Sequence, residues 1–304
     1  MRTSFPAVTI SMALGLAACS GGGGGGNETG RLSLAITDAP VDDASSVVVQ
    51  FSGVAFKRAG AEPEQVQNLT PSPRQLDLLQ YQEGRAALLL DGVTLPAGDY
   101  EWIRLIVDNE TGVRDSYIVL TGGQECELEV PSGAESGLKL NRGFTLPADG
   151  SVALTIDFDL RKSIHAPPGQ QGAAEACTQG YLMRPTLRIV DDANVGAIGG
   201  HVASELVTEQ CLPKVYVFSG AGATPDDIDG TDPDPLVVAN VAVENGSTAF
   251  AYRAAFLPPG PYTVAFTCDD DDATVDDTLT FFGAQDVTVQ ANLISTADFA
   301  APTP

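Results

Sequence analysis

From Arg31 onward, apolar and polar residues alternate over short runs, and Gly, Pro, Asn or Asp bounds each run. A period of two places successive side chains on opposite faces of an extended strand, whereas a helix repeats at 3.6. The pattern predicts strands over 31–37, 46–56, 101–107, 116–120, 151–160 and 182–190. In 151–160 the apolar residues Val152, Leu154, Ile156, Phe158 and Leu160 share one face, and Thr155, Asp157 and Asp159 share the other. That strand should turn one face to a core and the other to solvent. Pro96-Ala97-Gly98 and Pro147-Ala148-Asp149-Gly150 mark turns, and 76–90 has room for a short helix. Past residue 193, strands are expected over 197–207, 214–219, 236–242, 248–256, 261–268, 278–282 and 286–294. The fold class is all-β, with two β-sandwich-like domains, 31–192 and 193–304.

The residues ahead of the first strand read differently. Met1 and Arg2 precede an apolar run over 5–16 that is too short to span a bilayer. It ends in Leu16-Ala17-Ala18-Cys19, which resembles the lipobox of bacterial lipoproteins. The resemblance implies a leader over 1–18, acylation of the Cys19 sulfur, and a mature protein that starts there. Ser20 and the glycines from Gly21 to Gly26 begin a tether over 19–30, with a coil-like span of about 18 Å. Ser20 rather than Asp after the cysteine implies, by the same resemblance, the outer membrane as destination.

Charge narrows the partners. The 304 residues carry 16 Lys and Arg against 40 Asp and Glu, a net of −24, which repels phosphate backbones and excludes nucleic acid as a partner. The two histidines, His165 and His201, and five widely spaced cysteines remove most zinc sites and most histidine-based catalysis. Setting Cys19 aside leaves Cys126, Cys177, Cys211 and Cys268, an even number in an exported chain, where disulfides persist. Three connectivities are open. A composition change at Asp191-Asp192-Ala193-Asn194 makes pairing within each side the simplest, and each bridge would then contribute up to about 4 kcal/mol.

Acidic residues concentrate in two stretches, one holding Asp227, Asp229, Asp232 and Asp234, the other Asp269, Asp270, Asp271 and Asp272. Carboxylates at this density repel one another, and a hard cation with six to eight oxygen ligands relieves the repulsion, so calcium is the candidate cofactor. Gly230 does not fall at the sixth position of an EF-hand loop, and a solvated acidic surface is the plainer alternative. If successive strands run antiparallel, connections alternate between the two ends of the domain. Cys211 and Cys268 then fall at one end, and the two acidic stretches at opposite ends, as two separate weak sites.

Other candidates have plain structural readings beside them. Asp38, Asp42 and Asp43 surround Pro40, where an Asx turn or a helix cap is the usual role. Asp157 and Asp159 sit two apart on one strand face, and such a pair could serve glycoside hydrolysis, although a solvent face balanced by Arg161 and Lys162 is commoner. Trp102, Tyr100 and Tyr81 could form a sugar platform, although one Trp inside a strand is more often core.

Several blocks carry a family resemblance. Leu32-Ser33-Leu34-Ala35-Ile36-Thr37-Asp38-Ala39-Pro40-Val41-Asp42, Leu76-Asp77-Leu78-Leu79, Leu95-Pro96-Ala97-Gly98-Asp99-Tyr100 and Asp157-Phe158-Asp159-Leu160-Arg161-Lys162-Ser163, in that order, resemble a bacterial envelope lipoprotein domain family of unknown function. This implies a β-rich exported domain over roughly 30–192, with no catalytic residues to carry over. The insertion 166–180, which holds Cys177, departs from it. Further on, Phe256-Leu257-Pro258-Pro259-Gly260-Pro261-Tyr262-Thr263-Val264 and the strand opening at Gly196 are similar to prealbumin-like, carboxypeptidase regulatory-like β-sandwiches, which act as stalks, spacers or accessory modules. The expectation is a non-enzymatic, lipid-anchored envelope module that binds a protein or glycan or acts as a spacer. A carboxylate-based hydrolase of envelope polysaccharide and a calcium-dependent adhesion module are the alternatives.

Overall fold

The computed structural model describes residues 28–39, 44–61, 63–108, 110, 113–131, 137–167, 177–244, 247–273 and 275–301. Cys19, with the rest of 1–27, lies outside the described residues, as do Asp42, Asp43 and the middle of the 166–180 insertion. The chain is all-β. Among the described residues no helix is long and apolar enough to cross a membrane.

Two sheets build the N-terminal half. The smaller contains β1 (Thr29–Ala39), β5 (Ala87–Pro96), β11 (Ser151–Asp159) and β14 (Leu187–Asp191), in the spatial order β14-β11-β1-β5. The larger takes most strands between: β2 (Ala44–Arg58), β3 (Gln65–Asn68), β4 (Arg74–Asp77), β6 (Gly98–Val107), β7 (Tyr117–Leu120), β8 (Glu125–Glu129), β9 (Leu138–Leu140) and β10 (Phe144–Leu146). β12 (Ile164–His165) and β13 (Tyr181–Met183) extend its edge. β1 lies parallel to β11, from Arg31 opposite Ser151 to Ala39 opposite Asp159. A parallel pair needs a crossover, and the larger sheet supplies it. Leu32, Leu34 and Ile36 of β1 and Phe158 of β11 are fully buried against Phe51 and Phe56 of β2, so the period-two apolar residues become the contact between the sheets.

The C-terminal half has its own apolar core, centred on Ile198, Val215, Val217, Val264 and Phe266. Its strands are β15 (Gly196–Val202), β16 (Lys214–Ser219), β17 (Val237–Val243), β18 (Phe250–Leu257), β19 (Gly260–Thr267), β20 (Phe281–Val289) and β21 (Ile294–Thr296). They follow the order β20-β19-β16-β17-β18-β15-β21. The first part of β17 pairs with β16 and the last part, Val241 to Val243, with β18, so this strand joins the two sides. Cys126 is bonded to Cys177 and Cys211 to Cys268. The second bridge closes the end of the sheet where Lys214 pairs with Thr267, as strand parity predicts.

Three expectations need correction. The run 182–190 is two strands on different sheets, because Pro185 between them has no N–H for a ladder. The runs 278–282 and 286–294 are instead one strand, β20, followed by a turn and β21. The segment 76–90 holds a single 3-10 turn, Leu78–Gln80, capped by Asp77.

One turn device, joining consecutive strands that do not pair with each other, occurs in both halves. In Leu95-Pro96-Ala97-Gly98-Asp99-Tyr100 the Tyr100 hydroxyl donates to the Pro96 carbonyl at 2.8 Å. In Leu257-Pro258-Pro259-Gly260-Pro261-Tyr262 the Tyr262 hydroxyl donates to the Pro258 carbonyl at 2.7 Å. Gly98 takes a φ of +134°, a region unfavourable for residues with a Cβ. Both tyrosines are buried, so the bond fixes how one strand leaves the turn and enters the core. Tyr100→Phe and Tyr262→Phe should each lower stability by about 1 kcal/mol, the net value of one such bond, measured by urea denaturation.

Candidate functional site

The chemistry-bearing side chains gather at the seam between the halves. β11 ends in a one-turn helix, α1 (Leu160–Ser163), whose start is capped by the Asp159 carboxylate accepting from the Lys162 N–H at 3.3 Å. This turn aims two consecutive cations at the C-terminal half. Arg161, 6% exposed, donates to the Tyr216 hydroxyl at 3.1 Å and to Asp271 Oδ2 at 3.5 Å. Tyr216 donates to the same Asp271 oxygen, as does the Ile228 N–H at 3.3 Å. Lys162 pairs with Asp234 and donates to the Pro235 carbonyl at 3.0 Å.

These partners are local consequences of β16. Val215 and Val217 face the main core, so Tyr216 and Phe218 face the other way. The connections 220–236 and 268–280 fold over that face, where Ile228, Ala273, Leu279 and Phe281 cover the two rings. The acidic stretches therefore meet. Carboxylate oxygens of Asp227, Asp271 and Asp277 lie within 4.8 Å of one another, as do those of Asp227, Asp229 and Asp276. The expectation of two sites at opposite ends is overturned. Parity is right about where each connection leaves the sheet, but both are long compared with the six-residue β16 and reach back to its middle.

Of the residues predicted to hold calcium, Asp227, Asp229 and Asp271 come together, joined by Asp276 and Asp277. Asp234 is diverted to Lys162, and Asp269 accepts from the Thr280 N–H at 2.6 Å. Asp232, Asp270 and Asp272 are exposed and outside both groups. A wholly solvated acidic surface is also excluded, since Asp227 and Asp271 are buried.

A cleft of about 310 Å³ opens beside this clasp, lined by Asp157, Asp159, Lys162, Arg188, Asp234 and Leu236 among others. The outer face of β11 is thus not solvent. Thr155 is buried, and Asp157 pairs twice with Arg188. Burial pushes the carboxyls of Asp157, Asp159 and Asp271 above the usual range, against the pull of Arg188 on Asp157, of Lys162 on Asp159, and of Tyr216 and Arg161 on Asp271. Burial likewise raises the Tyr216 hydroxyl.

The remaining candidates disperse. Asp38 is a buried residue of β1 rather than a turn former. Trp102 is not core: it lies on the outer face of β6, with the Lys139 ammonium 4.5 Å from its ring centroid. Tyr100 points into the core, so no sugar platform with Tyr81 forms. His201 is exposed, 3.7 Å from Asp298, and His165 is in β12, away from it. Arg161 and Tyr216 were legible only as a cation of the DLRKS block and a strand tyrosine.

The fold and seam define a two-core, all-β chain whose halves are joined by buried polar contacts. The chain belongs to the family described as domain of unknown function DUF4382, whose pattern matches residues 29–185. No curated protein matches the sequence. Among solved structures it is similar to the Bacillus anthracis TIE protein (10% identity, TM-score 0.19, covering 89% of this chain and 34% of that one). It spans about a third of that protein's chain. GBS52, the minor pilin of Streptococcus agalactiae, matches at 10% identity and TM-score 0.19, covering 90% of this chain and 97% of that one. A candidate adhesin from Bacteroides ovatus matches at 8% identity and TM-score 0.23, covering 91% and 90%. At these TM-scores none of them bears on function.

Removing one partner of a buried ion pair leaves the other charge uncompensated. Arg161→Ala should therefore cost about 3–5 kcal/mol of stability by urea denaturation at pH 7, whereas the exposed Arg184→Ala should cost less than about 0.5 kcal/mol.

Proposed function

We propose that this protein is a non-catalytic binding or spacer module of the cell envelope, its two domains (31–192 and 193–304) held on a lipid anchor at Cys19. The observation that carries the reading is the seam. Arg161 and Lys162 tie the halves into one body with a cleft between them, an arrangement suited to presenting a fixed surface at the end of a tether. The same geometry argues against the hydrolase alternative, because Asp157 is spent on Arg188 and Asp159 on capping α1. A general acid or base needs a carboxyl free to reach substrate. Cys19→Ser should move the protein from the membrane fraction to the soluble envelope fraction, and full retention in the membrane would overturn the anchor. Turnover of an envelope glycan, abolished by Asp157→Asn with the fold retained, would overturn the non-catalytic reading.

A second reading is supported by the acidic cluster: the module binds calcium. Asp227, Asp271 and Asp277 bring three carboxylates against the single guanidinium of Arg161, an excess of negative charge in a place largely removed from water. A hard oxygen-preferring cation would relieve it. Calorimetric titration should then show a single class of site, with an affinity of about 0.1–1 mM as in extracellular modules. Asp227→Asn should abolish the heat and Asp270→Asn should leave it unchanged. Absence of heat at millimolar calcium would overturn this reading.

A further inference from the structure

A second cavity, of about 390 Å³, lies on the N-terminal half, lined by Lys139, Leu140, Asn141, Arg142, Pro185, Leu187, Arg188 and Ile189. Its charge runs against the rest of the chain. In a protein of net charge −24, three cations line one cavity, and among the described residues no carboxylate lines it. The cations come from separate segments: Lys139 from β9, Arg142 from the connection between β9 and β10, and Arg188 from β14. The Arg142 guanidinium is held in place by donating from Nη1 to the Ile189 carbonyl at 2.9 Å, which leaves its other N–H groups for a further acceptor. Arg188 spends Nε and Nη2 on Asp157, so it adds positive charge to the wall rather than a free donor. An oxyanion is the acceptor that matches the geometry and charge of the free Arg142 N–H groups. Leu187 and Pro185, with the edges of Leu140 and Ile189, supply the apolar part of a mixed lining, and the volume falls within the range of small-molecule sites and far above that of a single water.

We infer that this cavity binds a small soluble ligand carrying a carboxylate or phosphate group, with the oxyanion on Arg142, the charge of Arg188 behind it, and the body of the ligand against Leu187 and Pro185. Lys139 supplies the third charge. Its ammonium now rests over the Trp102 ring, and Trp102 is the only tryptophan in the chain. An anion that draws Lys139 into the cavity removes a cation from the indole face, so Trp102 emission reports occupancy. The site stands apart from the acidic cluster, and its failure would leave the binding-module reading in place.

The test uses the full chain at constant ionic strength, titrated with inorganic phosphate, with glucuronate and with chloride while Trp102 emission is followed. Phosphate or glucuronate should give a saturable change and chloride none. Arg142→Ala should weaken the response at least tenfold, and Arg142→Lys should restore part of it. Arg142 is exposed, so this variant should keep the wild-type urea midpoint within error. A parallel arm mixes the protein with phosphatidylglycerol vesicles. A response to vesicles alone, lost in Arg142→Ala, would overturn the proposal in favour of a lipid-headgroup contact. No saturable response to either soluble anion, or an equal response in Arg142→Ala, would also overturn it.

Discussion

A guanidinium held almost completely out of water governs the arrangement of this protein. Arg161 could not be buried as an isolated charge, since desolvating such a group costs several kcal/mol. It is tolerated because Tyr216 and Asp271 meet it from the other half of the chain. Each of those partners is itself buried for a reason traceable to β16: alternation turns Tyr216 away from the main core, and the connection 268–280, which carries Asp271, folds over that face. The clasp is thus the place where two separately built cores each depend on the other for a charge or a hydrogen bond.

That dependence also explains the acidic connections. Residues 226–234 and 269–277 hold much of the chain's excess negative charge, and on composition alone they belong in water. Ile228, Leu279 and Phe281 pull them down over the sheet, and the carboxylates follow because they are adjacent in sequence to side chains that must be covered. Asp271 then serves both sides, accepting from the clasp and standing against Asp227 and Asp277. Charge state in the cluster and the tightness of the seam are therefore linked through one carboxylate.

The strands were legible because burial on one face writes itself into a period of two. Phe158 and Ile156 could be assigned to a core from the sequence, as could the turns at Gly98 and Gly260. The cysteine pairing followed from the composition change at 191–194, and strand direction, which depends only on neighbours, supported it for Cys211 and Cys268. The seam was not legible. A polar face covered by another half of the same chain looks identical in sequence to one covered by water, so Asp157 and Arg161 read as solvent residues balancing each other. Nor does strand parity say where the middle of a long connection goes. The cavity around Arg142 was hidden for a third reason, since its cations are scattered over 139–188 and only the approach of β9 to β14, from two different sheets, brings them together.

The parallel pairing of β1 with β11 has a mechanical consequence. The chain enters β1 at Thr29 and leaves β11 at Asp159, immediately before the residues that grip the C-terminal half. In a parallel pair those two points are at opposite ends. A pull between the N-terminus and anything held by the C-terminal half loads the ladder from Arg31 to Ala39 along its length, in shear. Its hydrogen bonds must then fail together rather than unzip one by one. β5 holds the other edge of β1, so β1 is braced on both sides against such a load.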